Sequence, residues 1–256
     1  MPVPSSPFLQ RALRLARAEF AALSALLVIA VALMTFAEVA DDMTEADGQA
    51  FDWMVLLAMR PDANDPTHLW GPWWLHEAAA DLTSLGGIAV LSLLAIVAVG
   101  FLLIQRKRLS AALLVLGLAG GVILSEGLKA VFERERPPVE YQAVETLNAS
   151  FPSGHALLST VFYLTLGVML TRAFPQKRLK AYALGVALLF ALLIGSTRIY
   201  LGAHWASDVF AGWSVGAAWA MALWLAAYAI ERMQSRRHAA LQDEPSPSVE
   251  PTVVDS

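Results

Sequence analysis

The chain has 256 residues, a formal net charge of -4 and no cysteine. At 57% hydrophobic and 16% charged, against about 45–50% and about 25% in ordinary soluble domains, it has too few polar residues to cover a water-exposed surface and too much apolar content to stay disordered. The acidic balance lacks the basic face that nucleic acid requires, and zero cysteine excludes disulfides, a thiolate nucleophile and Cys-built zinc sites.

What remains is an all-α polytopic membrane protein with no internal repeat at solenoid periods. Its one membrane domain covers residues 20–231, between an N-terminal segment (1–19) and a C-terminal tail (232–256). A membrane-crossing helix needs about 20 mostly apolar residues. Six stretches qualify: Phe20–Val39, Ser84–Ile104, Ser110–Val131, His155–Thr171, Ala181–Thr197 and Val209–Ile230. The first is too long for a secretory signal core and no A-x-A site follows it, so it reads as an uncleaved anchor.

Between spans one and two, residues 40–81 form an acidic segment with Asp41, Asp42, Glu45, Asp47, Asp52, Asp62, Asp65, Glu77 and Asp81 against the single Arg60. Trp53, Trp70, Trp73 and Trp74 suit the membrane–water boundary. The segment is expected to form one or two amphipathic helices on the outer surface. They would be plain interfacial anchors or, more specifically, a lid or lipid-entry element. Thirteen of the 18 Lys and Arg fall on one side: Arg11, Arg14 and Arg17; Arg106, Lys107 and Arg108; Arg172, Lys177, Arg178 and Lys180; Arg232, Arg236 and Arg237. Cytoplasmic connections carry the Lys/Arg excess, so both termini are expected inside. The tail from Gln242 to Ser256, rich in Pro, Ser and acids, reads as disordered.

Three polar clusters lie at span ends on the opposite, outer side. Lys129 and Arg136 close span three before Pro137 stops the helix. Cations at a helix C-terminus suit its dipole, and the same pair suits an anion clamp. Arg134, between them, reads as an interfacial charge. Pro152-Ser153-Gly154-His155 opens span four, with Ser153 an N-cap and Gly154 permitting close approach to a helix N-terminus. Arg198, His204 and Asp208 lie between spans five and six. A helical spacing of four lets Asp208 hold one ring nitrogen of His204 and leave the other as nucleophile; a structural pair capping the span is the alternative. Too few ligands converge for a metal site. Asn148-Ala-Ser150 fits a glycosylation acceptor pattern. His68, His76 and His238 read as surface residues, and Glu126 sits a turn before Lys129.

Together the clusters supply what metal-free phosphoester hydrolysis needs. Cations and amides hold the phosphoryl oxygens, one His attacks, and a second protonates the leaving oxygen and then activates water. The motifs K-x6-RP (Lys129, Arg136, Pro137), PSGH (Pro152 to His155) and SR-x5-H-x3-D (here at Thr197, Arg198, His204 and Asp208) resemble the type 2 phosphatidic acid phosphatase (PAP2) superfamily, in the same order along the chain. Thr197 stands where that family usually has Ser.

The resemblance implies His204 as nucleophile, Asp208 as its orienting partner and His155 as general acid then base. It implies a phosphate clamp of Lys129, Arg136, Ser153, Gly154 and Arg198, with no metal and no cofactor. The implied substrate is a phosphorylated membrane lipid: phosphatidic acid, phosphatidylglycerol phosphate, diacylglycerol pyrophosphate or a polyprenyl pyrophosphate. The implied setting is a bacterial inner membrane with a periplasmic site. A lipid phosphotransferase would use the same site. A non-catalytic lipid-phosphate transporter or scaffold is disfavoured, because strongly polar residues sit at span ends rather than mid-span and both His and the Asp are intact.

Overall fold

The computed structural model describes residues 7–242 apart from 63, 145 and 147, with side chains described between 19 and 237. The described residues are all-helical: α1 (Pro7–Asp42), α2 (Ala46–Ala58), α3 (Trp73–Ser84), α4 (Ile88–Ile104), α5 (Arg108–Phe132), α6 (Gly154–Ala173), α7 (Lys177–Tyr200) and α8 (Ala206–Gln242), with one 3-10 turn at Val139–Tyr141. Among the described residues five helices are long and apolar enough to cross a membrane, six if the bent pair α3–α4 counts as one span. The expected spans one and three to six fall inside α1, α5, α6, α7 and α8. The expected second span does not run unbroken from Ser84. The chain bends by 52° between α3 and α4, where Gly86 and Gly87 follow Leu85, and the Leu85 carbonyl accepts from the Tyr163 hydroxyl at 3.1 Å.

Helix α6 is the axis of the bundle, packed on α5, α7 and α8, while α1 runs along α8. Leu91, Leu114, Leu157, Val161, Phe162 and Val215 form the main apolar core. Lipid tails are as apolar as leucine, so helices in a membrane associate through close packing of small residues. Here Gly212 and Gly216 of α8 meet α6 so closely that a Cβ would lie 2.6 Å from the Ser153 carbonyl oxygen and 2.7 Å from that of Leu157. The indoles of Trp213 and Trp219 satisfy their N–H groups on the Ala191 and Gly117 carbonyls, each at 3.0 Å. Side chains such as Leu27, Met34, Ile96, Phe101, Ile123 and Leu189 are exposed, as a lipid-facing surface requires.

The acidic segment forms two helices, as expected. They are tied into the bundle rather than laid on it: α2 packs on α8, α3 on α7, and Asp52, Leu56 and Ala79 are buried. Arg60 is buried, donating to the carbonyls of Pro66, Met59, Tyr200 and Tyr141 at 2.9, 3.1, 3.2 and 2.5 Å. It thereby ties this segment to the end of α7. At the C-terminus α8 continues as helix past Arg237 to Gln242. The tail expected to be disordered, beyond Gln242, lies outside the described residues, as do the side chains of Arg11, Arg14, Arg17 and His238.

Candidate active site

Each sequence cluster sits at a helix end, and all three meet at one end of the bundle. Lys129 lies in the last turn of α5, which Glu133 ends in the left-handed conformation (φ 43°). Ser153 caps α6, its hydroxyl accepting from the Ala156 N–H at 3.5 Å. Arg198 lies in the last turn of α7 and Asp208 in the first turn of α8. Residues 201–205 make the tight link between those two helices, with Gly202 at φ 66°. A Cβ there would lie 2.1 Å from the Tyr141 carbonyl oxygen.

These ends enclose a cavity of about 280 Å³ lined by Lys129, Arg136, Gly154, His155, Arg198 and His204, with Ser125, Glu126, Thr146 and Asn148, and with Ile88, Val122 and Leu158 on its apolar side. Ser153 and Asp208 are fully buried behind this lining. Ser153 thus reaches the site as the cap of α6, not as a wall of the cavity.

His204 is 3% exposed. Its Nδ1 is 3.4 Å from Asp208 Oδ2, and its Nε2 is 3.2 Å from Arg136 Nη1. A guanidinium has donors and no acceptor, so Nε2 must be the unprotonated nitrogen and Nδ1 carries the proton toward Asp208. Burial pushes the His204 pKa from 6.5 down to about 4; the hydrogen bond and charge of Asp208 act the other way. Asp208 Oδ2 also accepts from the Trp205 N–H at 2.9 Å and from the Ser150 hydroxyl, and Oδ1 from Arg134 Nη1 at 2.6 Å.

Three cations bound the cavity. Lys129 Nζ pairs with Glu126 Oε1 at 2.8 Å. Arg136 is held by the carbonyls of Asn148 (2.6 Å) and Ala203 (2.7 Å); burial lowers its pKa and the Asp208 charge opposes that shift. Arg198 Nη1 donates to Thr83 Oγ1 at 3.0 Å, while its buried Nε has no hydrogen-bond partner. The buried Ser125 Oγ is likewise unpaired. Unsatisfied buried donors are costly, and two of them lining one cationic cavity offer hydrogen bonds to an anion. Among the described residues no group of three or more His, Cys, Asp or Glu converges as metal ligands would.

Several residues here depart from their sequence expectations. Arg134 is no interfacial charge: its side chain is 12% exposed and bridges Asp208 and Asp52. A signal was present in Glu133-Arg134-Glu135-Arg136. After α5 this segment is non-helical and alternates outward Glu with inward Arg, the period of two of an extended chain. Ser150, read as part of a glycosylation pattern, is fully buried against Asp208. His76 is half-buried, with its Nε2 enclosed and its ring 5.9 Å from that of Tyr200. The Thr197 hydroxyl donates to the Ile194 carbonyl at 2.6 Å, so the departure from Ser is absorbed within α7.

The sequence profile of the PAP2 superfamily matches residues 110–232. The chain is 31% identical over 144 residues to phosphatidylglycerophosphatase B of Bacillus subtilis (strain 168), covering 56% of this chain and 70% of that protein. It is 32% identical over 120 residues to undecaprenyl-diphosphatase of Sulfolobus acidocaldarius, covering 45% of this chain and 54% of that protein. Its fold is similar to the crystal structure of a transmembrane PAP2-type phosphatidylglycerolphosphate phosphatase from Bacillus subtilis. That comparison has a TM-score of 0.69 and 26% identity, over 76% of this chain and 93% of that one.

Proposed function

The chain belongs to the PAP2 superfamily, and we propose that it is an integral-membrane lipid phosphatase that cleaves a phosphate monoester or pyrophosphate through His204. The observation that carries this reading is the pose of His204: Nδ1 turned to Asp208 and Nε2 turned to a cavity walled by Arg136, Arg198, Lys129 and His155.

The phosphoryl group sits among the three cations, with the N-terminus of α6 at Gly154 adding its amide and dipole. His204 Nε2 attacks phosphorus in line. A P–N bond forms and the bond from phosphorus to the leaving oxygen breaks, while His155 gives that oxygen its proton. The imidazole of the phosphohistidine keeps its Nδ1 proton against Asp208, whose charge supports the cation. His155 then removes a proton from water, the hydroxide attacks phosphorus, the P–N bond breaks and inorganic phosphate leaves. Charge spread over the phosphoryl oxygens in both steps is met by fixed donors that need no reorganisation.

The substrate is a phosphorylated membrane lipid. A phosphate held at the span ends leaves the chains to follow Ile88, Val122 and Leu158 toward the bilayer. The Lys/Arg excess expected of cytoplasmic connections supports an orientation with this site on the outer face, periplasmic in a bacterial inner membrane. The test is phosphate release by the purified protein in detergent with EDTA, on phosphatidic acid, phosphatidylglycerol phosphate, diacylglycerol pyrophosphate and undecaprenyl pyrophosphate. Release that survives EDTA and falls at least about 10³-fold in His204→Ala supports the reading. Equal release in the variant rejects His204 as nucleophile.

A further inference from the structure

Asp208 belongs to a chain of buried charges that continues beyond the site. Arg134 spans two carboxylates, with Nη1 2.6 Å from Asp208 Oδ1 and Nη2 2.7 Å from Asp52 Oδ2. Asp52, 1% exposed, comes from the middle of α2. Its Oδ1 accepts the backbone N–H of Ser207 at 2.9 Å, and its Oδ2 accepts the Ser207 hydroxyl. Ser207 is the second residue of α8 and stands next to Asp208. Asp52 therefore does the work of an N-cap for the helix that carries Asp208, supplied from a helix more than 150 positions away in sequence. Trp205 closes the network from above, with the Arg134 guanidinium 5.8 Å from its ring centre and Trp53 of α2 5.1 Å from it.

We propose that Arg134 and Asp52 are positioning residues for the reaction, so that α2 is a working part of the catalytic unit. The proposal rests on the reading of His204 and Asp208 given above. Arg134 fixes one oxygen of Asp208 so that the other faces His204 Nδ1. Asp52 orients Arg134 and shares its charge. With Arg134 divided between two carboxylates, Asp208 keeps enough negative field to support the cation that forms when His204 is phosphorylated. An Arg134 paired with Asp208 alone would cancel that field. Buried partners of this kind orient the groups that react, and their loss costs turnover while leaving the substrate's own contacts in place. Neither residue lines the phosphate cavity, so affinity for the lipid is set elsewhere.

The experiment uses the full chain in detergent, with phosphatidylglycerol phosphate and undecaprenyl pyrophosphate as substrates. The variants are Asp52→Asn, Arg134→Gln and Arg134→Lys, with Asp47→Asn as an exposed control on the same helix and His204→Ala as the reference for the reading itself. Folded fraction is followed by thermal melting. The expected result is a fall in kcat of about tenfold for Asp52→Asn and about 100-fold for Arg134→Gln, with KM within about threefold and part of the loss recovered in Arg134→Lys. Asp47→Asn should match wild type. Asp52→Asn and Arg134→Gln within about twofold of wild type, beside a dead His204→Ala, would overturn the positioning role alone. So would a loss of kcat that merely tracks the loss of folded protein, or one matched by a parallel rise in KM. An active His204→Ala would remove the underlying reading first.

Discussion

A neutral imidazole is a nucleophile and an imidazolium is not, so under the proposed mechanism the proton on His204 decides whether the site can begin its reaction. Burial holds the native pKa at about 4, against 6.5 for the free side chain. Between those values the unfolded chain binds a proton that the native state does not. Stability is therefore lost as pH falls from about 6.5 toward 4 and is unaffected by this group above that window. His204→Gln removes the linkage. Melting curves in detergent should show the variant gaining several degrees on wild type as the buffer goes from pH 7 to pH 4.5; a gap that stays constant would mean His204 titrates as an ordinary histidine. The residues that the structure brings together at this end of the bundle were legible because each belongs to a short local pattern: Lys129 with Arg136, Ser153 with His155, His204 with Asp208. Asp52, Arg134 and Ser150 were not. Their partners lie 155, 74 and 58 positions away, and no spacing rule reaches that far.

At the scale of elements, the apolar run that marks span two passes through Leu85, Gly86 and Gly87 without a polar interruption, which is why hydropathy alone missed the break. The bend matters for the site. A Cβ on Gly86 would lie 2.4 Å from Ile194 Cγ2 and 3.4 Å from His155 Cδ2, and one on Gly87 would lie 3.7 Å from His155 Nε2. The two glycines thus let the α3–α4 corner close against His155, and Gly86 is itself part of the cavity wall. Gly86→Ala should reduce kcat by about an order of magnitude, because a contact this short must shift either Ile194 or the imidazole. Adding Ile194→Ala, which removes the nearer obstacle, should restore a good part of the loss. If the double variant is no better than Gly86→Ala, the pressure falls on His155 rather than on Ile194. The bend also places Thr83, in the last turn of α3, where it holds Arg198. The same corner therefore positions one of the three cations that bound the cavity.

For the molecule as a whole, the site depends on helix ends from α5, α6, α7 and α8 coming to the same end of the bundle, and an even arrangement of spans brings them there. Charge then divides the two ends by function. The site end joins the acidic segment of residues 40–81 to a few cations, most of them committed to carbonyls, carboxylates or the cavity. The far end holds the Lys/Arg excess in the links after α4 and α6 and the helix ends that flank them, together with the ion pairs Arg172–Glu231 and Arg232–Glu19. Lysines and arginines are enriched on the cytoplasmic side of membrane proteins, and on this asymmetry rests our proposal that the site faces the outer leaflet. In that proposed orientation the site would work on lipid headgroups of the outer leaflet, and an acidic rim would set local charge against anionic lipids except at the proposed clamp of Lys129, Arg136 and Arg198. Reporter fusions test the orientation directly. A reporter joined after Arg108 should register as cytoplasmic and one joined after Asp65 as external. The opposite pattern would reverse the whole assignment, place the site in the cytoplasmic leaflet, and make its substrate a lipid phosphate presented from the inside.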